Sequence, residues 1–410
     1  MEGNSSLAET TGVPGAGASP PARQLTLSRS VAIYEDVVPH YRVGIFEALA
    51  ERIGEYTLYA EHFDAHPAGV NCVPCAGIGV GKIRLHLRPL LDAVRREHGI
   101  LICEGRLKLI TSTLLAFAGG ALGIRVLWWS PIWRPNGRVE IGGGLRGWLM
   151  RSVFRRLYGY VTYGRRAAEV ALAGGIAKDR IFVAYNSLDT PRLLAAERRW
   201  RESPGRLARF RDETGLSNKK VVLYVGQFIP RKRLDVLLDA FAMIRRGDPH
   251  DETRLVLIGD GPDLSRVRAR ADARDLQGSV RFVGRVVDIE QICPYFLSTR
   301  VVVLPGAGGL VVNQSLTHGV PVIVGGGDGT ESDSVEEGGN GYFWAGDSAD
   351  SLADLIRRIA YAPESDWQRL SENARAAVKE RTNLATMLDG MVRAVSSAQE
   401  GPADVRASLR

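Results

Sequence analysis

The stretch RVVVLPGAGGLVVNQSLTHGVPVI, from Arg300 to Ile323, constrains the fold of this chain more than any other. Residues 301–304 are apolar and β-branched, which predicts a strand buried on both faces, and Pro305 ends it. A glycine-rich turn and a helix-length segment ending at Gly319 follow, and residues 320–324 have the composition of another strand. A strand, turn, helix and strand in this order indicate an α/β fold.

The glycine-rich turn has two interpretations. Gly306, Ala307, Gly308 and Gly309 let the backbone approach a ligand closely. The helical segment 310–318 follows directly, and the free N–H groups and dipole of a helix N-terminus attract anions. Taken alone, the stretch is equally typical of an anion site and of an ordinary tight turn.

The length and composition indicate two domains. The chain has 410 residues, of which 45% are apolar and 24% charged, which suffices for two cores. The first residues are rich in Gly, Ala, Ser, Thr and Pro, which is typical of disorder. We expect a disordered leader over 1–27, a first domain over 28–190, a hinge over 191–219, a second domain over 220–382, and a C-terminal helix and tail over 383–410.

The cysteines and the hydropathy favour a cytoplasmic protein without a metal. No apolar run reaches the roughly 18 residues of a membrane span, and the leader lacks the pattern of a secretion signal. Four cysteines in so long a chain indicate a reducing compartment. Cys72 and Cys75 form a single CxxC pair, whereas a zinc site needs a second pair or well-spaced histidines. We therefore predict a loop with idle thiols there.

The positive charge lies in the first half. The net charge is +7, and residues 28–189 hold 21 Lys and Arg against 14 Asp and Glu, compared with 31 against 30 over 190–410. Two basic amphipathic helices are predicted, over Lys82–Glu97 and Leu145–Tyr158. Such helices lie on an anionic membrane surface or pack on a core with a solvated arginine face. No nucleic-acid motif accompanies the charge, so we expect no nucleic acid partner.

Acceptor candidates follow the predicted strands of the first half. Ligands of an open α/β sheet gather at the carboxyl ends of its strands. The loop after the predicted strand Ser30–Tyr34 holds Glu35 and the acceptor candidates Asp36, His40 and Arg42, and the loop after the predicted strand Ile124–Trp129 holds the candidates Ser130 and Trp133. A helix cap, a surface ion pair or, for tryptophan, a core position is the commoner explanation of any single one.

Several segments of the second half stand together in a characteristic order. They are GQFIPRKRLDVLLDAF, LVLIGDGP, VRFVGRV, VVVLPGAGGLVVNQSLTHGVPVI and GGNGYFW. The GDGP segment is not GxGxxG, so the dinucleotide fingerprint is missing. The set resembles the donor-binding half of the retaining GT-B glycosyltransferases, glycosyltransferase family 4, from about Lys220 to Thr382. Weaker echoes lie in the loop with His40 and in the turn from Asn186 to Asp189.

The resemblance implies an α/β GT-B fold, in which two Rossmann-like parallel-sheet domains hold a nucleotide-sugar in the cleft between them. Lys232 falls on the family lysine that binds the diphosphate. Gln227 falls where an arginine is usual, and Arg231 or Arg233 is the candidate substitute. The donor-binding residues that the resemblance implies are Gly226, Gln227, Arg231, Lys232, Gly259, Asp260, Gly284, Arg285, Val286, Gly306, Gly308, Gly309, Leu310, Val311 and Gln314.

The chain departs from the family at two glutamates spaced eight residues apart. The first, which lies near the donor sugar, falls on Gly306, and the second, which holds the ribose, falls on Gln314. A glutamine amide still hydrogen-bonds a diol, whereas glycine cannot replace a carboxylate. The family frequently has a histidine after the strand that here contains Trp128 and Trp129. This chain lacks that histidine, and Ser130 is the residue nearest to its position. The resemblance leaves Lys232, Gln314 and His40 as the residues expected to take part in catalysis.

These observations lead to one hypothesis with two rivals. We expect a cytoplasmic glycosyltransferase with peripheral contact to the inner face of a membrane, which transfers a sugar to a glycan or lipid-linked glycan without a cofactor or metal. The first rival is a GT-B-shaped subunit that binds a nucleotide or glycan without turnover, because the glutamates are missing. The second is a nucleotide-sugar epimerase, which needs no acceptor.

Overall fold

The computed structural model describes residues 25–81, 83–132, 143–247, 252–327, 329–346 and 348–400. Within these ranges two large parallel sheets are each enclosed by helices. This arrangement confirms the α/β architecture of two Rossmann-like domains that the sequence predicts. No helix in the described ranges combines the length and apolar composition required to cross a membrane.

The first half alternates short strands with helices. Its strands are β1 (Val31–Tyr34), β2 (Val37–Val38), β3 (Thr57–Ala60), β4 (His62–Phe63), β5 (Asn71–Pro74), β6 (Gly77–Ile78), β7 (Leu85–His86), β8 (Ile100–Glu104), β9 (Arg125–Ser130), β10 (Gly159–Thr162) and β11 (Ile181–Val183). Its helices are α1 (Val43–Ile53), α2 (Leu87–Val94), α3 (Ile110–Leu122), α4 (Gly144–Phe154) and α5 (Arg165–Ala173), with 3-10 turns η1 (His40–Arg42) and η2 (Lys178–Arg180). The sheet order is β11–β10–β9–β8–β1–β3–β5.

The second half begins with two helices and then builds its own sheet. The helices are α6 (Thr190–Arg201), α7 (Pro204–Thr214), α8 (Leu234–Gly247), α9 (Leu264–Asp272), α10 (Ile289–Leu297), α11 (Leu310–Thr317), α12 (Glu331–Ser334), α13 (Ala349–Ala360), α14 (Glu364–Glu380) and α15 (Leu384–Glu400), with the 3-10 turn η3 (Pro230–Lys232). The strands are β12 (Lys220–Val225), β13 (Thr253–Ile258), β14 (Val280–Gly284), β15 (Val301–Leu304), β16 (Val322–Val324) and β17 (Gly341–Phe343). The sheet order is β14–β13–β12–β15–β16–β17.

The stretch from Arg300 to Ile323 forms the predicted unit. All four residues of β15 are buried, as are the three of β16, because helices cover both faces of a parallel sheet. The turn of residues 305–309 joins β15 to α11, and His318 caps α11 before the left-handed Gly319.

The last helix returns to the first domain. Met387, Met391 and Val395 of α15 are buried in the core that α1 and the first sheet form. Gly390 allows the close approach, since a Cβ there would lie 2.2 Å from the carbonyl oxygen of Val183. The Tyr158 hydroxyl also donates a hydrogen bond to the carbonyl of Ser397.

Three local predictions differ from the structure. The edge strand β5 includes the first three residues of the CxxC segment, which is predicted as a loop, and it pairs in parallel with β3. Of the basic helix predicted over Lys82–Glu97, the structure describes residues 83–97, and among these α2 is the helical part, because β7 pairs with β6 just before it. Residues 331–341, whose several acidic side chains and glycines indicate a loop, begin with the short helix α12. Burial raises the pKa of the Cys75 thiol to about 12, which makes it a poor nucleophile.

Candidate functional site

The turns after β12 and β15 lie side by side at the carboxyl edge of the second sheet. The chain runs from β12 outward to β13 and β14, and then continues at β15 on the other side of β12. Such a reversal of strand order creates a crevice between two neighbouring turns, and open α/β sheets bind ligands there. The predicted donor residues Lys232 and Gly306 occupy these two turns.

The turn after β12 packs backbone to backbone on the turn after β13. The Phe228 N–H donates to the Asp260 carbonyl at 2.8 Å. A Cβ at Gly259 would lie 1.8 Å from the Gly226 carbonyl oxygen, and φ at Gly259 is +143°. Glycine at 259 therefore allows the two turns to pack this closely. The Gly259 N–H also donates a hydrogen bond to the carbonyl of Gly284, at the end of β14.

Lys232 reaches across the crevice. Its ammonium donates a hydrogen bond to the Ala307 carbonyl in the turn after β15. The backbone of η3 also packs closely against that turn. A Cβ at Gly306 would lie 2.1 Å from the Arg231 carbonyl oxygen and 2.9 Å from the Lys232 Cα. Glycine at 306 is thus a packing requirement of the turn.

A buried carboxylate lies at the start of α11. Glu331, 4% exposed, accepts hydrogen bonds from the Gly308 N–H at 3.1 Å and the Gly309 N–H at 3.4 Å through Oε1. Its Oε2 accepts from the Gly329 N–H at 3.2 Å. The N–H groups that the resemblance gives to phosphate therefore hold a side chain of the protein in this structure.

The remaining donor candidates line the same edge with different exposure. Arg231 is exposed, whereas Arg233 lies 4.4 Å above the ring of Trp344 and donates to the Gly346 carbonyl. Arg231 is therefore better placed than Arg233 to replace the missing arginine. The others are exposed or half-buried at the ends of β12 and β14 and on α11: Gln227, Gly284, Arg285, Val286, Leu310, Val311 and Gln314.

The carboxyl edges of the two sheets meet at α12. Asp333, 4% exposed, accepts from the Arg165 backbone N–H at 3.0 Å and from its guanidinium at 2.9 Å. Arg165 begins α5 after β10 of the first sheet, and a Cβ at Gly164 would lie 2.1 Å from the Asp333 carboxylate. Glu331 and Asp333 thus connect α12 to one helix start in each domain.

A buried charged cluster lies at the carboxyl edge of the first sheet. The Arg42 guanidinium donates to the Glu35 carboxylate at 3.1 Å and to the Tyr163 hydroxyl, and stacks 4.7 Å from the Trp129 ring centre. Burial raises the pKa of Glu35 to about 8, against the opposing effect of Arg42. Arg42 is therefore held by the protein at the edge where acceptor contacts are predicted.

The other acceptor candidates do not form one cluster. Asp36 donates its N–H to Glu104 at 3.1 Å, while the exposed His40 pairs with Asp64 at 3.5 Å. Ser130 is buried and hydrogen-bonds the Tyr160 hydroxyl at 2.6 Å. Trp133 lies outside the described residues. Trp128 and Trp129 are fully buried core residues.

One group of side chains in the described ranges has spacing suitable for a metal ion. The ligand atoms of Asp36, Glu61 and His86 lie within 4.8 Å of one another. Both ring nitrogens of His86 have protein partners, the Tyr34 hydroxyl and the Glu61 carboxylate at 2.9 Å. This hydrogen bonding accounts for the arrangement, and the absence of a metal remains an expectation.

The sequence reasoning missed Glu331, Asp333 and Arg165. The signal was available, because Glu331 and Asp333 follow β16 and Arg165 follows β10, and the carboxyl ends of parallel strands share one edge. The resemblance assigns roles to the turn after β15 and none to Glu331, Asp333 or Arg165.

A comparison with family models covers most of the second half. Residues 208–377 match the family model described as glycosyl transferases group 1. A mannosyltransferase of Mycobacterium tuberculosis, the GDP-mannose-dependent alpha-(1-6)-phosphatidylinositol monomannoside mannosyltransferase, is 28% identical over 230 residues, which are 52% of this chain and 57% of the relative. A D-inositol 3-phosphate glycosyltransferase of Actinosynnema mirum is 31% identical over 177 residues, 40% of this chain and 41% of the relative. The chain spans about half the length of these relatives.

Solved structures show the same fold over most of the chain. Anabaena HepE in complex with UDP superposes with a TM-score of 0.67 at 16% identity, covering 90% of this chain and 100% of that one. A glycosyltransferase from Rickettsia africae has a TM-score of 0.70 at 14% identity, with coverage of 92% and 100%. The two facing parallel-sheet domains are those of the GT-B fold, as predicted.

Proposed function

We propose that this protein is a glycosyltransferase that moves a sugar from a nucleoside diphosphate sugar to an acceptor on the first domain, with retention at the anomeric carbon. One observation carries the proposal. The Lys232 ammonium and the glycine turn after β15 meet at the strand-order reversal of a parallel sheet, inside the segment that matches the group 1 family model.

The chemistry assigned to this edge is stabilisation of the leaving group. The diphosphate gains negative charge as the bond to the sugar breaks, and a fixed cation lowers the energy of that state. Lys232 supplies the cation, with the exposed Arg231 beside it. We assign Gln314 to the ribose hydroxyls and residues 284–286 to the base, because these positions follow the resemblance and lie on the same edge.

A lysine variant tests the donor assignment. We expect Lys232→Ala to weaken binding of the nucleoside diphosphate about tenfold or more, since hydrogen bonds to charged groups contribute about 1.5–3 kcal/mol. Thermal shift against UDP, GDP, ADP and TDP, with and without Mg²⁺, first identifies the base, because a ligand of the folded state raises the melting temperature. Calorimetry and a transfer assay then compare the variants.

The control is Lys379→Ala, which removes an exposed lysine of α14. The donor assignment is wrong if Lys232→Ala keeps both the affinity and the turnover of the unchanged protein. Nucleotide binding without transfer to any acceptor or epimerisation would favour the non-catalytic subunit, for which the missing carboxylate at Gly306 is the specific argument.

The acceptor proposal rests on an apolar and basic surface of the first domain. Helix α3 packs between α2 and α4, and the guanidinium of Arg156 lies 4.7 Å from the Phe117 ring centre. Leu145 is 80% exposed, Trp148 59% and Val94 65%. Exposed apolar side chains beside arginines suit the interface of an anionic membrane. We therefore propose a lipid-linked glycan as acceptor, reached from a membrane surface.

Vesicle binding tests the membrane proposal. We expect the protein to sediment with phosphatidylglycerol vesicles at low salt and to be released at high salt, because screening weakens surface electrostatics. Replacing Leu145 and Trp148 together by glutamate should reduce the bound fraction severalfold. Val287→Glu is the control, since Val287 is a half-exposed apolar residue of the second domain. No binding at low salt would remove the support for a membrane acceptor.

A further inference from the structure

We propose that Glu331 binds hydroxyl groups of the donor sugar and so supplies the carboxylate that position 306 does not. This inference rests on the proposed function, because it assigns a further residue to the same donor site. Three features support it: the close packing around Gly306, the position of Glu331 beside the same turn, and the hydrogen-bonding chemistry of a buried carboxylate.

Position 306 has no room for an acidic side chain. The first atom of any side chain there would lie 2.1 Å from the Arg231 carbonyl oxygen and 2.9 Å from the Lys232 Cα. A glutamate at 306 would displace η3, and with it the lysine whose ammonium spans the crevice. A carboxylate for this edge therefore has to come from another element.

Glu331 brings a carboxylate to the same turn from the opposite side. It stands at the start of α12 after β16, and β16 is the sheet neighbour of β15. The carboxylate is held by the N–H groups of Gly308 and Gly309, two and three residues beyond Gly306, and by that of Gly329. Backbone hydrogen bonds from two separate turns fix its position.

The surrounding glycines leave space for this side chain. A Cβ at Gly327 would lie 2.0 Å from Glu331 Oε1, and one at Gly308 would lie 3.6 Å from the same oxygen. A side chain at 327 would force the carboxylate to move. The turns on both sides of Glu331 are thus shaped around it.

The chemistry of a carboxylate selects the part of the donor that it binds. An ionised carboxylate accepts hydrogen bonds and donates none, so it recognises hydroxyl groups. It repels a phosphate placed on the same N–H groups, since two anions at close range destabilise each other. The edge therefore divides into a cationic part at Lys232 for the diphosphate and an acidic part at Glu331 for the sugar.

The test compares nucleotides with and without the sugar. Calorimetry would measure UDP against UDP-glucose and GDP against GDP-mannose, for the unchanged protein and for Glu331→Gln, which keeps the shape and removes the charge. For the pair that binds, we expect the diphosphate affinity to change less than about twofold and the nucleotide-sugar affinity to fall about tenfold or more. Glu337→Gln is the matched control, because Glu337 also accepts a backbone N–H, that of Phe343 at 2.7 Å.

Each other outcome overturns the inference. Equal weakening of both ligands would mean that Glu331 only supports the turn, and tighter diphosphate binding would mean that it competes with phosphate. Unchanged binding in Glu331→Gln, with loss in Lys232→Ala, would reject the inference and keep the proposed function. An unchanged protein that binds none of the four ligands would reject both. If Glu331→Gln fails to fold, Glu331→Asp keeps the charge on a shorter side chain and should show the same selective loss for the nucleotide-sugar.

Discussion

At the scale of the residue, the packing around Gly306 leaves no space for even a methyl group. We expect Gly306→Ala to lower the free energy of unfolding by about 1–3 kcal/mol, the range for overpacking, because the new Cβ meets the Arg231 carbonyl. Diphosphate affinity should fall as well, since η3 carries Lys232. Chemical denaturation and calorimetry measure the two effects.

Gly326→Ala is the control, because no heavy atom lies within 4 Å of the position that its Cβ would take. It should leave both quantities nearly unchanged. If Gly306→Ala matched that control, the close packing of η3 on the turn after β15 would be disproved.

For individual residues, the sequence predicts which turns form the site but not how the side chains in them contact one another. A strand followed by glycines and a helix predicts a turn that faces the crevice. Spacing and resemblance together therefore place Lys232 and Gly306 in the same site. That Gly306 packs under the Arg231 carbonyl, and that Glu331 reaches the same turn, depends on contacts between segments distant in sequence. The order of strands places Glu331 at this edge, but periodicity and composition do not show that its carboxylate contacts the turn after β15.

At the scale of the element, a buried carboxylate of α6 binds several groups of the second domain. Glu197 accepts from His318 Nδ1 at 2.9 Å and from the guanidinium groups of Arg201 and Arg375 at 2.7 Å. Burial disfavours its ionised form, yet the hydrogen bonds from His318 and Arg375 prevail and lower the pKa of Glu197 to about 2. The ionised carboxylate therefore stabilises the fold.

Because the folded pKa lies below the usual value of 4.5, this stabilisation is present above about pH 4.5 and is lost as pH falls toward 2. We expect Glu197→Gln to cost about 3 kcal/mol of unfolding free energy at pH 7 and less at pH 3. Chemical denaturation at the two pH values measures the difference. Glu202→Gln, at the exposed end of α6, is the control. A pH-independent loss would contradict the role of the charge.

Most elements follow from local pattern, and the exceptions have physical reasons. The sequence of residues 165–173 predicts a helix, and α5 spans the same residues. The sequence does not predict β5, because Pro74 and the CxxC pair that overlaps the strand are typical of a loop, and a strand tolerates such a proline only at the edge of a sheet. The helix α12 has four residues, too few for a periodic signal.

At the scale of the whole molecule, the two domains are joined twice, once before α6 and again before α15. We expect Gly390→Ala to destabilise the protein by about 1–3 kcal/mol, although alanine favours helices, because its Cβ would collide with the Val183 carbonyl. Gly205→Ala in α7, with no atom within 4 Å, should be neutral or slightly stabilising. Thermal unfolding of both variants tests this, and an unchanged melting temperature for Gly390→Ala would contradict the packing of α15 on β11.

Because α15 packs on the first domain, the core of that domain is completed late during synthesis. Roughly 200 residues separate β11 from α15, and at about 5–20 residues per second a ribosome needs roughly 10–40 s to make them. During that interval the apolar surface that Met387, Met391 and Val395 later cover is open to other proteins in the cell. The domain translated first therefore receives α15 only after the whole second sheet has been synthesised.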